Sequence, residues 1–334
     1  MRLLAALTAA ATLAVGAAPA ALAQCDPGEI VIKFSHVTNA DRHPKGLAAA
    51  RFAERVNAEM NGKVCVEVYP NSTLYGDDKE MEALLRGDVQ MLAPSLSKFE
   101  QFTKKFRIFD LPFMFKNIRA VDEFQQTPQV QELLTSMVRR GVLGLTFWHN
   151  GMKQMSANRP LILPEDMRGL KFRVQPSDVL VAQMNALGAS PQKMAFSEVY
   201  GALQTGVVDG QENTWSNIWG QKFFEVQDGI TETNHGIIDY LVAVNARWWN
   251  DLPDDVRTQL KTILDEVTAE RNAEVERINE EAKQAIIKAG GVIRTLTPEQ
   301  RQAWVEAMKP VWKQFEDDVS PELIALAQEI NARH

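Results

Sequence analysis

Between Pro253 and Ala289 the chain keeps one amphipathic pattern. Val256, Leu260, Ile263, Leu264, Val267, Val275, Ile278, Ala282 and Ile286 recur at helical spacing. Pro253 suits a first helical turn, and Gly290-Gly291 suits a stop. At 1.5 Å per residue such a helix reaches roughly 50 Å, more than a small domain is wide. It is therefore expected to cross from one lobe of the protein to another. A coiled-coil dimer is the alternative, but the stripe does not sustain a heptad.

The N-terminal half alternates strand and helix. Ile30 to Phe34 reads as a short apolar strand. A helix follows with Phe52, Val56 and Met60 on one stripe, stopped at Asn61-Gly62. A second strand opens in Lys63-Val64-Cys65-Val66-Glu67-Val68. The next helix is expected from Asp77 to Arg86, capped by Asp77 and Asp78, with Met81, Leu84 and Leu85 facing in. This alternation implies an α/β lobe with a largely parallel sheet. An internal echo then appears: Ala83-Leu84-Leu85-Arg86-Gly87-Asp88-Val89 matches Ala202 to Val208 in four places. Both copies read as a helix end, a glycine cap and entry into a strand. In that register Pro94 and Ser95 fall where Asn213 and Thr214 fall. Helix–glycine–strand is also common grammar, and coincidence is the competing reading. Taken as a repeat, it describes two similar lobes whose strand ends face one cleft.

The first residues form an export signal: Arg2, an apolar run from Leu3 to Val15, and Ala21-Leu22-Ala23 before Gln24. The run is too short for a membrane helix. A lipoprotein would need a small residue before Cys25, where Gln24 stands. Cleavage after Ala23 leaves an exported chain of 311 residues, enough for two ordinary domains. The net charge of −7 becomes −8 without Arg2, and no basic cluster points to nucleic acid. An acidic protein that binds an anion must concentrate positive charge locally. Cys25 and Cys65 read as one disulfide in an oxidising compartment, against the alternative of two unpaired buried thiols. By chain entropy the bridge contributes roughly 4 kcal/mol. The tryptophans and methionines need no cofactor. Trp304, Met308 and Trp312 are spaced as one face of a C-terminal helix.

Three stretches carry the functional reading. In Gly169-Leu170-Lys171-Phe172-Arg173-Val174, apolar residues alternate with Lys171 and Arg173. Thr205 to Asn213 closes on Gln211-Glu212-Asn213, and Met194-Ala195-Phe196-Ser197-Glu198-Val199-Tyr200 lies between. Arginine grips a carboxylate bidentately and does not deprotonate. These stretches resemble solute-binding proteins of tripartite ATP-independent periplasmic (TRAP) transporters, and within them the four-carbon dicarboxylate receptors. The resemblance runs from about Ile30 to the C-terminal helices. It implies an α/β, two-lobed periplasmic solute-binding fold with a cleft between lobes and a long lobe-spanning helix. Residues 24–150 and 239–278 would form lobe I, and residues 151–238 and 279–334 lobe II. It also implies delivery of a small carboxylate to membrane permease subunits.

By the same resemblance Arg173 pairs with a substrate carboxylate and Asn213 donates to it. On residue chemistry alone, Arg173 could equally serve a structural salt bridge. Thr214 stands where many relatives have proline, which makes Trp215 a candidate pocket wall. Lys153, in Asn150-Gly151-Met152-Lys153-Gln154-Met155, occupies the place of a second arginine in many relatives; a solvated loop lysine is the alternative. Phe196 is expected against the ligand's carbon chain or in the core. For the second carboxylate, Ser95 and Lys98 lie at the echoed strand end, with His36 beyond the first strand or in a structural role. A secreted hydrolase or lyase is the rival class. The sequence carries no G-x-S-x-G, H-E-x-x-H, C-x-x-C or glycine-rich phosphate loop. Its five histidines form no usual metal pair. A binding partner of a chemoreceptor would use the same pocket. A receptor for a monocarboxylate or sugar acid would use the same fold.

Overall fold

The structure, a computed structural model, describes residues 25–334. The expected signal segment and its cleavage point lie outside the described residues. No described helix is long and apolar enough to cross a membrane.

Two sheet regions of matching design meet along one strand. In the first, β1 (Ile30–Ser35) runs parallel to β2 (Val64–Tyr69) on one side and β3 (Met91–Leu92) on the other. The connecting helices are α1 (Pro44–Glu59) and α2 (Glu80–Arg86). Beyond β3 the 16-residue β4 (Val142–Ala157) will supply the join. In the second region β5 (Lys171–Val174) is flanked in parallel by β6 (Ser190–Lys193) and β7 (Gly210–Thr214). Here α3 (Asp178–Ala186) and α4 (Val199–Gln204) make the connections. Parallel strands covered by helices are buried on both faces, which is why Ile32, Phe34, Phe172 and Val174 are inaccessible to solvent.

With β9 spanning Ile237–Asn245, the sheet order is β2-β1-β3-β9-β4-β7-β5-β6, with β8 (Gly229–Glu232) on β4 and β10 (Ile293–Thr295) on β8. The N-terminal part of β4 pairs antiparallel with β9 as far as Met152; from Lys153 onward it pairs with β7. Gly151 sits at this change of partner with φ +143°. A side chain there would meet Asn279 at 2.9 Å, so only glycine suits the crossing.

The internal echo is structural. Gly87 and Gly206 both adopt positive φ. Asp88 N donates to Ala83 O, and Val207 N donates to Ala202 O, each at 2.9 Å. Both helix ends thus close with the same six-residue hydrogen bond. Ser95 precedes the 3-10 turn Leu96–Phe99, and Thr214 caps α5 (Trp215–Gly220).

Four expectations change. The 253–289 helix is two helices, α6 (Asp254–Asn272) and α7 (Val275–Lys288), with Pro253 as cap. They part where Asn272 turns to β4, donating to Phe147 O and accepting from His149 N. The helix predicted from Asp77 starts at Glu80 without an aspartate cap, and Leu85 is exposed. The C-terminal stretch expected whole in lobe II divides. Trp304 and Met308 join the core beneath β5, while Val311, Phe315, Leu323 and Ile330 pack with Phe109, Phe115 and Phe124. The helices after Trp312 therefore serve the first region's phenylalanine-rich core. Cys25 and Cys65 form a disulfide, as expected from the paired starts of β1 and β2.

Candidate functional site

The strand ends of both regions converge on a small cavity. Crevices at the carboxyl ends of parallel strands are where open α/β sheets take ligands. From the first region it is lined by Thr38, Lys45, Asp77, Glu80, Ser95 and Lys98, and from the second by Arg173, Gln175, Phe196, Asn213 and Asn217. Tyr240, on β9, completes the wall.

Arg173 is 1 % exposed. Its Nε and Nη2 both donate to Met194 O, at 3.2 and 2.9 Å, which fixes the plane of the fork. Its guanidinium carbon lies 6.0 Å from the centre of the Phe196 ring. Among the described residues no carboxylate stands within 4 Å of it, and no group accepts from Nη1. Burial lowers its pKa, against the pull of Asp77, Glu212 and Glu198. A buried cation without a counter-ion is costly and is relieved by an anionic guest.

Asn213 is oriented by its neighbours. Its Oδ1 accepts from Asn217 Nδ2 at 2.6 Å, and its Nδ2 donates to Gln211 Oε1 at 2.7 Å. Asn217 Oδ1 accepts in turn from His43 Nε2 at 2.6 Å, while His43 Nδ1 accepts from Lys45 N. This assigns the ring's tautomer. Burial holds the His43 pKa well below its ordinary value, so the ring is neutral. One Asn213 N–H remains for a guest beside the Arg173 fork.

The opposite wall is dense in charge. Lys98 Nζ lies 2.7 Å from Asp77 Oδ2, with both side chains nearly inaccessible. Lys45 Nζ donates to Ala93 O at 2.9 Å and sits 3.9 Å from the centre of the Tyr240 ring. Bonds also cross the cavity. Asp77 Oδ1 accepts from Phe196 N at 3.0 Å, Ser95 Oγ donates to Gln175 Oε1, and His43 reaches Asn217. The lobes thus stand closed upon the site.

Of the residues expected from sequence, Arg173, Asn213, Ser95, Lys98 and Phe196 share this cavity. Lys153, His36 and Trp215 are not in its lining. Lys153 Nζ lies 2.7 Å from Glu212 Oε2, which also accepts from His235 Nε2 at 2.7 Å. Lys153 pairs with Thr214 across β4 and β7, so Glu212 is its diagonal neighbour on the same face. His36 turns its Nδ1 to Thr38, and burial drops its pKa to about 3. The Trp215 ring faces Lys283 Nζ at 5.3 Å and lines a different groove with Met152 and Asn279. Sequence reasoning missed Lys45, Glu80, Gln175, Asn217 and Tyr240, and it placed Asp77 at a helix cap.

A wider groove lies between residues 118–131 and the α6–α7 break. Its buried His149 is already matched by Asp239 at 2.7 Å and Asp122 at 3.1 Å. Size favours that groove; the uncompensated charge favours the cleft.

Comparison with known proteins agrees with this geometry. Residues 34–318 match DctP, bacterial extracellular solute-binding protein family 7. The chain is 65% identical over 327 residues to the C4-dicarboxylate-binding periplasmic protein DctP of Vibrio cholerae, covering 98% of each. A TRAP periplasmic solute-binding protein of Shewanella oneidensis, solved with succinate, superposes with TM-score 0.89 at 50% identity. That match covers 91% of this chain and 99% of the other. One from Pseudomonas aeruginosa, solved with L-malate, gives 0.84 at 48% identity over 85% and 99%. A binding receptor, and not a secreted hydrolase or lyase, is what this likeness describes. The chain belongs to bacterial extracellular solute-binding protein family 7, the DctP family.

Proposed function

We propose that this protein is the extracytoplasmic receptor of a TRAP transporter for a four-carbon dicarboxylate such as succinate, malate or fumarate. It is exported to the periplasm, loses residues 1–23, and hands its ligand to the membrane permease. The observation that carries the reading is Arg173: buried, facing the cleft, held by Met194 O and matched by no carboxylate. One ligand carboxylate takes the guanidinium fork and the Asn213 amide. The other meets Lys98, Ser95 and Lys45 on the opposite wall. Neither wall satisfies both ends alone, so binding shifts the population toward the closed form. Closure carries β2-β1-β3-β9 toward β6-β5-β7 about the partner change in β4 near Gly151. Micromolar affinity needs about −8 kcal/mol, within reach of two charge-assisted clusters. The bound succinate and L-malate of the solved relatives support this choice of ligand.

The test is calorimetric titration of the mature chain, freed of ligand by unfolding and refolding. Succinate, malate and fumarate are compared with lactate and sialic acid. One-to-one binding of the diacids alone is expected. Binding of lactate or sialic acid instead would keep the Arg173 clamp and remove the dicarboxylate assignment.

A further inference from the structure

Glu80 is the uncommitted acid of the cleft. It opens α2, is 1 % exposed, and lines the cavity. Its backbone N–H is satisfied by Gly76 O, but its side chain makes no hydrogen bond among the described residues, and Oε1 is fully enclosed. The charged and titratable groups around it are Lys45 of α1, Asp77 and Asp78 of the preceding turn, Lys98 of the 96–99 turn, the Tyr240 hydroxyl of β9, and Arg173 across the cleft. His36 and His43, near Lys45, are held neutral by burial. Asp77 is tied to Lys98 and to Phe196 N.

The charges facing the cavity are then three cations (Lys45, Lys98, Arg173) against two carboxylates (Asp77, Glu80). A dicarboxylate dianion adds two negative charges and leaves the closed cleft one short of neutrality. In a water-poor space that excess is expensive. A proton on Glu80 removes it and turns an acceptor without a donor into an O–H donor in the cavity wall.

We propose that Glu80 takes up one proton from solvent when the dianion enters, so that the receptor binds a dicarboxylate together with a proton. This rests on the dicarboxylate reading above. Burial, against the pull of Lys45, already raises the Glu80 pKa to about 7, whereas that of Asp77 is lowered. Lys45, lowered to about 8 by burial, is the other group that titrates nearby.

The test is titration of the mature receptor with succinate at pH 7.5 in buffers of different ionisation enthalpy, such as phosphate, HEPES and Tris. The slope of observed heat against buffer enthalpy counts protons. A slope between about one half and one proton taken up is expected, with affinity falling severalfold per pH unit above pH 7.5. Glu80→Gln, whatever its affinity, should flatten both dependences, whereas Lys45→Arg should keep the uptake. Succinate binding with a flat wild-type slope overturns proton uptake alone, and uptake that persists in Glu80→Gln overturns its assignment to Glu80. Absence of succinate heat in every buffer overturns the dicarboxylate reading and this proposal with it.

Discussion

Across the cleft, Arg173 has no carboxylate within 4 Å among the described residues, whereas Lys98, on the other wall, lies 2.7 Å from Asp77. Arg173 is buried, the Lys98 side chain is nearly inaccessible, and both face the same cavity. One is neutralised within the protein and the other awaits a guest. A compensated buried charge holds the fold together, and losing its partner is destabilising. An uncompensated one works against the empty protein and is released from that penalty by binding. On the proposed reading, the second-region wall supplies affinity for any carboxylate, and the first-region wall sets how much further charge the site accepts.

Removing Arg173 breaks this contrast most sharply. Arg173→Ala should weaken succinate binding a hundredfold or more, about 3–5 kcal/mol, by calorimetry. The unliganded variant should melt no lower than the parent. Arg173→Lys should also bind poorly, because one ammonium cannot reproduce the planar fork. Normal binding by the lysine variant would sink the bidentate argument.

Lys98→Met should have the opposite signature. With Asp77 left buried and unmatched, the unliganded protein should lose roughly 3 kcal/mol in urea unfolding. Part of that loss should return in the Lys98→Met, Asp77→Asn double variant. Equal stability losses in the Arg173 and Lys98 variants would erase the distinction between the walls.

His149 extends the comparison to a third buried cation. Burial disfavours its charged form, but Asp239 and Asp122 outweigh that and raise its pKa to about 9. Because the folded value lies above the unfolded one of about 6.5, its stabilisation is complete below pH 6.5. It declines through the interval to pH 9 and is gone above it. His149→Gln should remove roughly 2 kcal/mol at pH 6 and almost nothing at pH 10, read from unfolding at both pH values. A loss independent of pH would mean that His149 acts by packing.

What the sequence disclosed of this arrangement follows a physical divide. Arg173 and Asn213 were legible because short local motifs carry them, and Ser95 because the repeated helix–glycine–strand unit projected it onto the same place. Lys45 and Glu80 fall on the buried stripes of α1 and α2, seven residues before Phe52 and four before Leu84. Each stands at a helix start, where a charged residue ordinarily reads as solvated, and the stripes were not followed back to them. Lys153 was misplaced because its partner Glu212 lies on a strand distant in sequence, and the β4–β7 register that brings them together is antiparallel and non-local. The break between α6 and α7 was hidden for a related reason. The apolar stripe continues across it, and only the bonds from Asn272 to β4 reveal why the helix stops there.

The strand β4 has a further consequence. Its first eleven residues, through Met152, are hydrogen-bonded within one sheet region and its last five within the other. Neither half can melt alone without stripping a strand from its neighbour. Although the molecule is built as two lobes around a cleft, its heat denaturation should trace a single endotherm, with van't Hoff and calorimetric enthalpies in agreement.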